Sequence, residues 1–323
     1  MADKLPLKTR GELWLAAWMR RYYQLRQRTL ETAPAQRFTR YDIGAASPAD
    51  TGAAPRSGTI PRIIWAYWNG PQPPLLIQRC FDNWARLNPG YSIRILNDAS
   101  LPQYLPDLPQ TVHALTVAKR SDWVRLELLH RHGGIWLDAS TILTESLDWV
   151  LEQQQRTQAD LVGYYLDRYT SDPACPVVES WFMAAPPASA FIRDLQREFA
   201  GEVVGRSGEQ YIEHLRARGD YERLRQNIDI PAYLSIHLAM QATLRSGGSY
   251  RLCLARAEDG PFFLHVKGDW RRAPLKIRLM FSRAARAPAP LVKLRAPDRK
   301  KLDLYLERGL YVPGSIADRY LPP

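Results

Sequence analysis

Two carboxylates and one guanidinium stand at spacings that could place them in a single binding site. Asp122 and Arg125 are three residues apart in a segment with helical periodicity, so they share one helix face. Asp138 follows the short apolar run 135–137. Because an arginine can hold a carboxylate or a phosphate through two parallel hydrogen bonds, the three could line one polar pocket. The alternative is that Asp122 and Arg125 form a surface ion pair of little energetic worth.

Aromatic, amide and carboxylate side chains follow three predicted strands. In open parallel sheets, ligands bind beyond the carboxyl ends of the strands. An aromatic ring offers a base or a sugar a flat apolar partner. A carboxylate accepts hydrogen bonds from hydroxyls or holds a divalent cation that neutralises a diphosphate. The predicted strand ends are Trp68-Asn69-Gly70, Asn97-Asp98 and Asp138-Ala139-Ser140.

The body of the chain alternates predicted strands and helices, which indicates an α/β fold. Amphipathic stretches predict the helices and apolar runs predict the strands. The first strand, helix and strand form a βαβ unit, so the sheet begins parallel. The predicted strands are 63–68, 91–96, 135–137, 161–166, 177–184 and 262–266, and the predicted helices are 76–87, 111–132, 188–200, 209–225 and 232–244.

The net charge of +11 is concentrated at the two ends of the chain. Residues 1–30 carry a net +5 and residues 271–301 a net +10, which leaves −4 for the remainder. This distribution is unlike a nucleic-acid groove and favours contact with an anionic membrane surface or a diphosphate-linked acceptor. A charged surface that only improves solubility is the alternative.

The N-terminal segment 8–30 is predicted to be a helix with Trp14 and Trp18 beside arginines. Such a helix lies at a membrane interface or packs on the body through its aromatic face. Residues 31–59 are rich in Ala, Pro, Ser, Gly and Thr and are predicted to be a linker. No apolar run suits a signal peptide or a membrane span, and three scattered cysteines favour reduced thiols. We therefore expect a cytoplasmic protein, peripheral on the inner face of the plasma membrane.

Three motifs taken together resemble the capsular polysaccharide synthesis family of glycosyltransferases. They are IPRIIWAYW at 60–68, SDWVR at 121–125 and GGIWLDAS at 133–140. The segment ESWFMAA at 179–185 and the pair His265 and Lys267 add to the resemblance. That family is related to the DXD-motif sugar transferases, such as yeast-type mannosyltransferases and clostridial toxins. The likeness runs from about residue 60 to residue 270.

The resemblance implies a GT-A fold, a mostly parallel sheet flanked by helices, and transfer from a nucleotide-sugar donor with retention of configuration. Asp122, Arg125 and Asp138 are then the expected catalytic residues, with Asp138 as the first acid of the DXD motif. Trp68 is expected near the nucleobase. Glu179 and Trp181 are expected on the acceptor side. The expected donor-binding residues are Tyr67, Trp68, Asn69, Asp122, Arg125, Ser140 and Lys267.

This sequence departs from the DXD pattern because Ser140 stands where the second acid is expected. A hydroxyl is a weaker metal ligand than a carboxylate. Asp138 and His265 would therefore have to hold a divalent cation, Mn²⁺ or Mg²⁺, between them. Alternatively, Lys267 supplies positive charge directly to the diphosphate. Metal dependence stays open at this point.

We predict three regions: an N-terminal helix and linker at 1–59, a GT-A-like catalytic domain at 60–270 and a basic C-terminal extension at 271–323. The predicted function is hexosyl transfer from a UDP- or GDP-linked sugar to a saccharide or lipid-linked saccharide of a bacterial surface polysaccharide, without nucleic acid as a partner. Two alternatives are a non-catalytic nucleotide- or saccharide-binding subunit and a basic scaffold at the membrane.

Overall fold

The computed structural model describes residues 5–44, 58–284 and 287–323. Its strands are β1 Thr39–Ile43, β2 Ile63–Tyr67, β3 Ser92–Leu96, β4 Gly134–Leu137, β5 Thr141–Leu143, β6 Leu161–Tyr165, β7 Val178–Ala185, β8 Tyr250–Arg256 and β9 Leu291–Lys293. Its α-helices are α1 Leu7–Arg26, α2 Leu75–Leu87, α3 Gln110–His113, α4 Val117–His132, α5 Asp148–Thr157, α6 Ala190–Glu198, α7 Gly208–Ala217, α8 Tyr221–Arg225, α9 Ser235–Leu244, α10 Phe263–Val266, α11 Arg272–Phe281, α12 Leu302–Glu307 and α13 Ile316–Tyr320.

A large sheet takes the strand order β1-β8-β6-β7-β4-β2-β3. β2, β3, β4, β6 and β8 run in one direction, whereas β1 and β7 run antiparallel to their neighbours. The predicted α/β class with a mostly parallel sheet is therefore confirmed. The carboxyl ends of the five parallel strands and the start of β7 meet at one edge, which we call the carboxyl edge.

Both faces of this sheet are covered by helices. In β2, Ile64 packs in one apolar cluster with Trp84 of α2, while Trp65 packs in the opposite cluster with Val124 of α4. Successive side chains of a strand point to opposite faces, so a strand buried on both sides needs a continuous apolar sequence. This explains the uninterrupted apolar run that predicted β2.

Two glycines join α4 to β4. Gly133 has φ of +63° and Gly134 has φ of +109°, a region in which glycine is the least strained residue. A Cβ on Gly134 would lie 2.8 Å from the carbonyl oxygen of Ile63. The indole nitrogen of Trp65 donates a hydrogen bond to the Gly133 carbonyl at 2.8 Å. The end of α4 is thereby held against the sheet.

The predicted last strand at 262–266 is wrong, because residues Phe263–Val266 form helix α10. The backbone nitrogen of Val266 donates to the carbonyl of Phe262 at 3.0 Å, one helical turn earlier. A short apolar run does not by itself distinguish a buried strand from a buried helical turn.

Three other boundaries differ from the prediction. The segment 31–59 is predicted to be a linker, but it contains β1, which pairs antiparallel with β8. Residues 45–57 of this segment lie outside the described residues. The helix predicted at 111–132 is divided into α3 and α4, because Thr116 caps a new helix start. The helix predicted at 209–225 is divided into α7 and α8 at Gly219, whose φ is +75°.

The C-terminal residues pack closely on the rest of the chain. β9 pairs antiparallel with β5 in a two-stranded sheet. Residues of α11, α12 and α13 share a third apolar cluster with Leu13 of α1 and Cys80 of α2.

The helix α1 confirms the predicted N-terminal helix. Among the helices of the described ranges, none is long and apolar enough to span a bilayer. The predicted division into three regions stays a prediction.

We expect Gly134→Ala to lower the free energy of unfolding by about 2–4 kcal/mol, since it adds a steric clash to an unfavourable φ. Gly219→Ala is the matched control, because its φ is also positive but a Cβ there meets nothing within 4 Å. That control should lose only about 1–2 kcal/mol. Urea unfolding of both variants measures the difference, and equal losses would show that the contact with Ile63 is unimportant.

Candidate functional site

Four charged side chains meet at the carboxyl edge, and we call them the ionic cluster: Asp122, Arg125, Asp138 and Lys293. Nη2 of Arg125 lies 3.2 Å from Oδ1 of Asp122 and 3.2 Å from Oδ1 of Asp138. Nζ of Lys293 lies 2.7 Å from Oδ2 of Asp138. The structure thus brings the three expected catalytic residues together and adds a lysine from the C-terminal segment. Their roles in a reaction stay predictions.

Each member of the ionic cluster is held by a regular element. Asp122 and Arg125 lie on α4, and Asp138 follows β4, where its backbone nitrogen donates to the carbonyl of Trp181 at 2.9 Å. Lys293 ends β9, opposite Thr141 of β5. The charged groups therefore come from three elements whose backbones are fixed by helix or sheet hydrogen bonds.

Ser140 fixes the backbone next to Lys293. Its hydroxyl donates to the carbonyl oxygen of Leu294 at 2.8 Å, and the Leu294 nitrogen donates back to the Ser140 carbonyl at 3.1 Å. An aspartate at this position would face that carbonyl with a group that only accepts hydrogen bonds. The departure from the DXD pattern is therefore coupled to the position of Lys293.

Arg125 is buried and only partly satisfied. Its side chain is 5% exposed and its guanidinium lies 5.0 Å from the centre of the Trp136 ring. Within the described residues, its Nε and Nη1 atoms have no hydrogen-bond partner. A buried donor without a partner costs about 1–3 kcal/mol, so these two nitrogens suit a polar ligand such as a sugar hydroxyl.

His237 on α9 lies near this guanidinium. Burial lowers the pKa of His237 to about 4, and the positive charge of Arg125 acts in the same direction. The imidazole is therefore neutral at neutral pH. A neutral ring beside Arg125 leaves the guanidinium charge available to an anionic or hydroxyl-bearing partner.

The ionic cluster contains carboxyl groups with different proton affinities. Burial would raise the pKa of Asp138, but Lys293 and Arg125 outweigh it and hold that pKa below its usual range. Burial raises the pKa of Asp122 to about 6, with Arg125 opposing and Asp138 adding to the shift. Burial also lowers the pKa of Lys293, against the effect of Asp138. Asp138 is thus the firmly ionised carboxylate of the pair.

Glu179 and Trp181, at the start of β7, form a second wall of the site. The Trp181 ring stacks on Tyr164 with ring centres 5.7 Å apart, and Nζ of Lys293 lies 5.6 Å from the Trp181 ring centre. Burial raises the pKa of Glu179 to about 8, and Lys293 only partly opposes this. The Glu179 carboxyl group therefore carries a proton at neutral pH.

A second polar group lies beyond β2 and β3 at the same edge. The Tyr67 hydroxyl donates to Asp98, and Nη1 of Arg120 donates to the same carboxylate. Trp68, which follows β2, is half-buried, and Asn69 is exposed. The expected donor-binding residues Tyr67, Trp68 and Asn69 thus lie at the end of β2, the strand that pairs with β4.

His265 and Lys267 have other partners. Nε2 of His265 lies 2.9 Å from Oδ2 of Asp298, and both side chains are fully buried. Nζ of Lys267 lies 3.3 Å from a carboxylate oxygen of Glu31. Among the ion pairs of the described residues, neither contacts Asp138.

The donor set at Asp138 does not fit a divalent cation. Its Oδ1 faces Arg125 and its Oδ2 faces Lys293, so positive groups already occupy both oxygens. The Ser140 hydroxyl donates to a carbonyl, and within the described ranges no three His, Cys, Asp or Glu side chains are grouped to hold a metal. Mg²⁺ and Mn²⁺ need several oxygen ligands that are free to face the ion.

Lys293 and His237 are site residues that sequence analysis missed. Lys293 is one of eleven Lys and Arg residues in the segment 271–301, so its charge alone did not distinguish it from the others. His237 lies inside a predicted helix with no motif around it. The pairing of β5 with β9 was the missing information for Lys293, and a strand of three residues leaves little trace in the sequence.

Two surface hollows of about 300 and 280 Å³ are lined by residues outside the ionic cluster. The first is lined by residues such as Phe38, Trp149 and Pro288, and the second by residues such as Leu76 and Arg299. Neither includes Asp122, Arg125 or Asp138, so the chemistry of the charged groups, and not cavity size, identifies the site.

The sequence profile described as "Capsular polysaccharide synthesis protein" matches residues 19–200 of this chain. The matched range contains the first three members of the ionic cluster and more than half of the chain. This chain therefore belongs to the capsular polysaccharide synthesis family, as the motifs at 60–68, 121–125 and 133–140 predicted.

Two relatives are named as glycosyltransferases, and both come from fungi. "O-glycosyltransferase braB" of Annulohypoxylon truncatum is 29% identical over 154 residues, 42% of this chain and 36% of the relative. "Glycosyltransferase afumC" of Aspergillus fumigatus is 27% identical over 151 residues, 41% of this chain and 38% of the relative. The matched part of this chain thus spans little more than a third of either relative.

Among solved structures, the "PaToxG Glycosyltransferase" is similar to this chain with a TM-score of 0.37 and 15% identity. That similarity covers 59% of this chain and 72% of the other.

We expect the contribution of Glu179 to the free energy of unfolding to fall as pH rises from about 4.5 towards about 8, because the unfolded Glu179 carboxyl ionises first while the folded one keeps its proton. Glu179→Gln should remove that contribution. At pH values above the pKa of Glu179 in the folded protein, the free energy of unfolding of the variant should exceed that of the parent by on the order of 2–5 kcal/mol. Urea unfolding from about pH 5 to about pH 9 measures it.

The matched control is Glu222→Gln on α8, whose parent side chain is 79% exposed. It should leave the pH dependence of unfolding unchanged. A Glu179→Gln variant whose stability stays parallel to that of the parent at every pH would show that the buried carboxyl is not protonated in the folded state.

Proposed function

We propose that this chain transfers a sugar from a nucleotide-sugar donor, linked to UDP or GDP, to a saccharide or lipid-linked saccharide acceptor. We further propose that the acceptor belongs to a surface polysaccharide of capsular or lipopolysaccharide type. Membership of the family supports the class of reaction. The observation that carries the site assignment is the ionic cluster at the carboxyl edge, in which Arg125 joins Asp122 and Asp138.

In the proposed reaction, the bond between the anomeric carbon and the diphosphate oxygen breaks, and its electron pair leaves with the nucleoside diphosphate. The acceptor hydroxyl oxygen bonds to the anomeric carbon, and its proton passes to an oxygen of the departing diphosphate. Retention of configuration is proposed from the motif resemblance. Positive charge fixed beforehand beside the leaving group lowers the barrier to its departure.

The residues of the site fit separate tasks in this reaction. Asp122 is proposed to accept hydrogen bonds from donor-sugar hydroxyls. Nε and Nη1 of Arg125, which have no partner among the described residues, are proposed to donate to them. Trp68 is proposed to contact the nucleobase from the end of β2. Glu179 and Trp181 are proposed to face the acceptor. Holding both substrates in one geometry supplies a large share of the rate enhancement.

A non-catalytic nucleotide- or saccharide-binding subunit is the second candidate. Ser140 favours it, since the second acid of the DXD motif is absent. The two candidates differ in turnover: a binding subunit retains nucleotide affinity and forms no product from UDP- or GDP-sugars.

We expect Asp122→Ala to lower the turnover of nucleotide-sugar transfer or hydrolysis by about a hundredfold or more while leaving nucleoside diphosphate affinity within about threefold. Asp138→Ala should weaken that affinity by about tenfold or more, because Arg125 and Lys293 then lose the carboxylate that fixes their positions. Product formation and calorimetric titration measure these effects.

Asp148→Ala is the matched control, since Asp148 is paired with the exposed Arg62 at 2.6 Å, outside the ionic cluster. It should retain parental turnover and affinity. If Asp122→Ala and Asp138→Ala are as active as this control, the site assignment is wrong.

A further inference from the structure

We propose that α1 docks this chain on a membrane surface that contains anionic phospholipids. Four large apolar residues of α1 are seven, four and seven positions apart, which places them in one stripe along the helix. They stay exposed to solvent, whereas Thr9, Leu13 and Ala16 on the other side of α1 are buried. The stripe residues and their exposed fractions are Leu7 83%, Trp14 72%, Trp18 53% and Leu25 85%.

The opposite face of α1 holds the helix on the body and so directs the stripe outward. Leu13 and Ala16 are buried in the third apolar cluster. Glu12 is the only acidic residue of α1, and its carboxylate lies 2.9 Å from Nζ of Lys276 and also pairs with Lys301. The outward face of α1 therefore carries no negative charge.

Cations flank the stripe on both sides. Lys8, Arg10, Arg21 and Arg26 are all exposed. Exposed tryptophans between arginines suit a membrane interface, where the rings enter the headgroup region and the cations meet lipid phosphates. A contiguous apolar surface of this kind marks a contact site. The cations on both sides of it favour a bilayer that contains anionic lipids. This supports a peripheral position on the inner face of a membrane.

Cosedimentation with vesicles tests this docking. The chain should bind vesicles of about two parts phosphatidylcholine to one part phosphatidylglycerol, and bind pure phosphatidylcholine about tenfold less. Trp14→Ser with Trp18→Ser should lower binding to the anionic vesicles by about tenfold or more. Arg10→Glu with Arg21→Glu should lower it to a similar degree and abolish the preference for anionic lipid.

Tyr233→Ser is the matched control, since Tyr233 is 69% exposed and lies just before α9. It should bind like the parent, and all variants should unfold at the parental temperature. Parental binding by the tryptophan variant would overturn the proposal. So would a concentration-dependent dimer that the tryptophan variant abolishes, because the stripe would then contact a second copy.

A second inference rests on the proposed function and concerns its electrostatics. We propose that the ammonium group of Lys293 supplies the positive charge that stabilises the leaving diphosphate, in place of a divalent cation. Nζ of Lys293 contacts Oδ2 of Asp138, while Nη2 of Arg125 contacts Oδ1. A lysine thus stands beside the first acid of the DXD motif, where a metal ion would otherwise be held.

The surroundings of Lys293 fix this ammonium in position. The side chain is only 9% exposed and lies over the Trp181 ring. Ser140, the residue in place of the second acid, holds the adjoining Leu294 through two backbone-directed hydrogen bonds. Ser140 therefore replaces a carboxylate that could bind a metal ion, and the same side chain helps to position Lys293.

The charge balance permits an anion to approach. The charges of Arg125 and Lys293 balance those of Asp122 and Asp138, and the protonated Glu179 adds no further negative charge at neutral pH. Arg299 also lies close enough to act on Lys293. A fixed cation in a water-poor site interacts more strongly with a developing anion than it would in water.

The test compares metal removal with lysine removal. In the parent chain, UDP or GDP affinity and sugar-transfer turnover should change less than about twofold between excess chelator and added Mn²⁺. Lys293→Met should weaken nucleotide affinity by about tenfold or more and turnover by about a hundredfold, without rescue by Mn²⁺. Lys293→Arg should recover part of the affinity, because it keeps the charge.

Lys276→Met is the matched control, since Lys276 is also a poorly exposed, carboxylate-paired lysine, with Glu12 as its partner. It should keep parental affinity. Binding that requires Mn²⁺, or parental affinity in Lys293→Met, would overturn the role of Lys293 and leave the proposed function intact. Failure of the parent to bind any UDP- or GDP-linked ligand would overturn both.

Discussion

The arrangement of charged groups at the carboxyl edge depends on the Asp138 carboxylate, because two cations from distant parts of the chain share it. Arg125 reaches it from α4 and Lys293 from β9. Removing a charged group from water costs several kcal/mol, and the cost is offset only while the partners stay in place. The three backbones that carry these groups must therefore keep fixed positions relative to one another.

Two backbone arrangements meet that requirement. Gly133 and Gly134 turn the chain sharply between α4 and β4, so that a residue of the helix and a residue after the strand face each other across a few ångströms. Ser140 then ties the chain beyond β4 to Leu294. A larger side chain at either glycine, or an acid in place of Ser140, would displace the backbones that position the charged groups around Asp138.

Part of this site could be predicted from the sequence, namely Asp122, Arg125 and Asp138. The contribution of Lys293 could not be predicted. Asp122, Arg125 and Asp138 lie in motifs of characteristic spacing, on elements whose periodicity is clear. Lys293 reaches the same carboxylate through the short pairing of β5 with β9, which depends on long-range contacts. The error at α10 has a similar cause, since tertiary packing decides whether a short apolar run becomes a strand or a helical turn. The sheet order likewise follows from packing across the whole domain.

The basic C-terminal segment, whose charge first indicated only an anionic partner, divides its cations among distinct structural tasks. Lys293 completes the ionic cluster, whereas Lys276 and Lys301 pair with Glu12 and hold α1 in place. The same segment therefore contacts both the proposed donor site and the helix proposed to meet the membrane. The residues that pair with Glu12 of α1 and the residue that completes the ionic cluster therefore lie within one short stretch of the chain, 276–301. If α1 docks as proposed, its contacts with this segment would hold the carboxyl edge in a fixed orientation to the lipid surface, which suits the proposed lipid-linked acceptor.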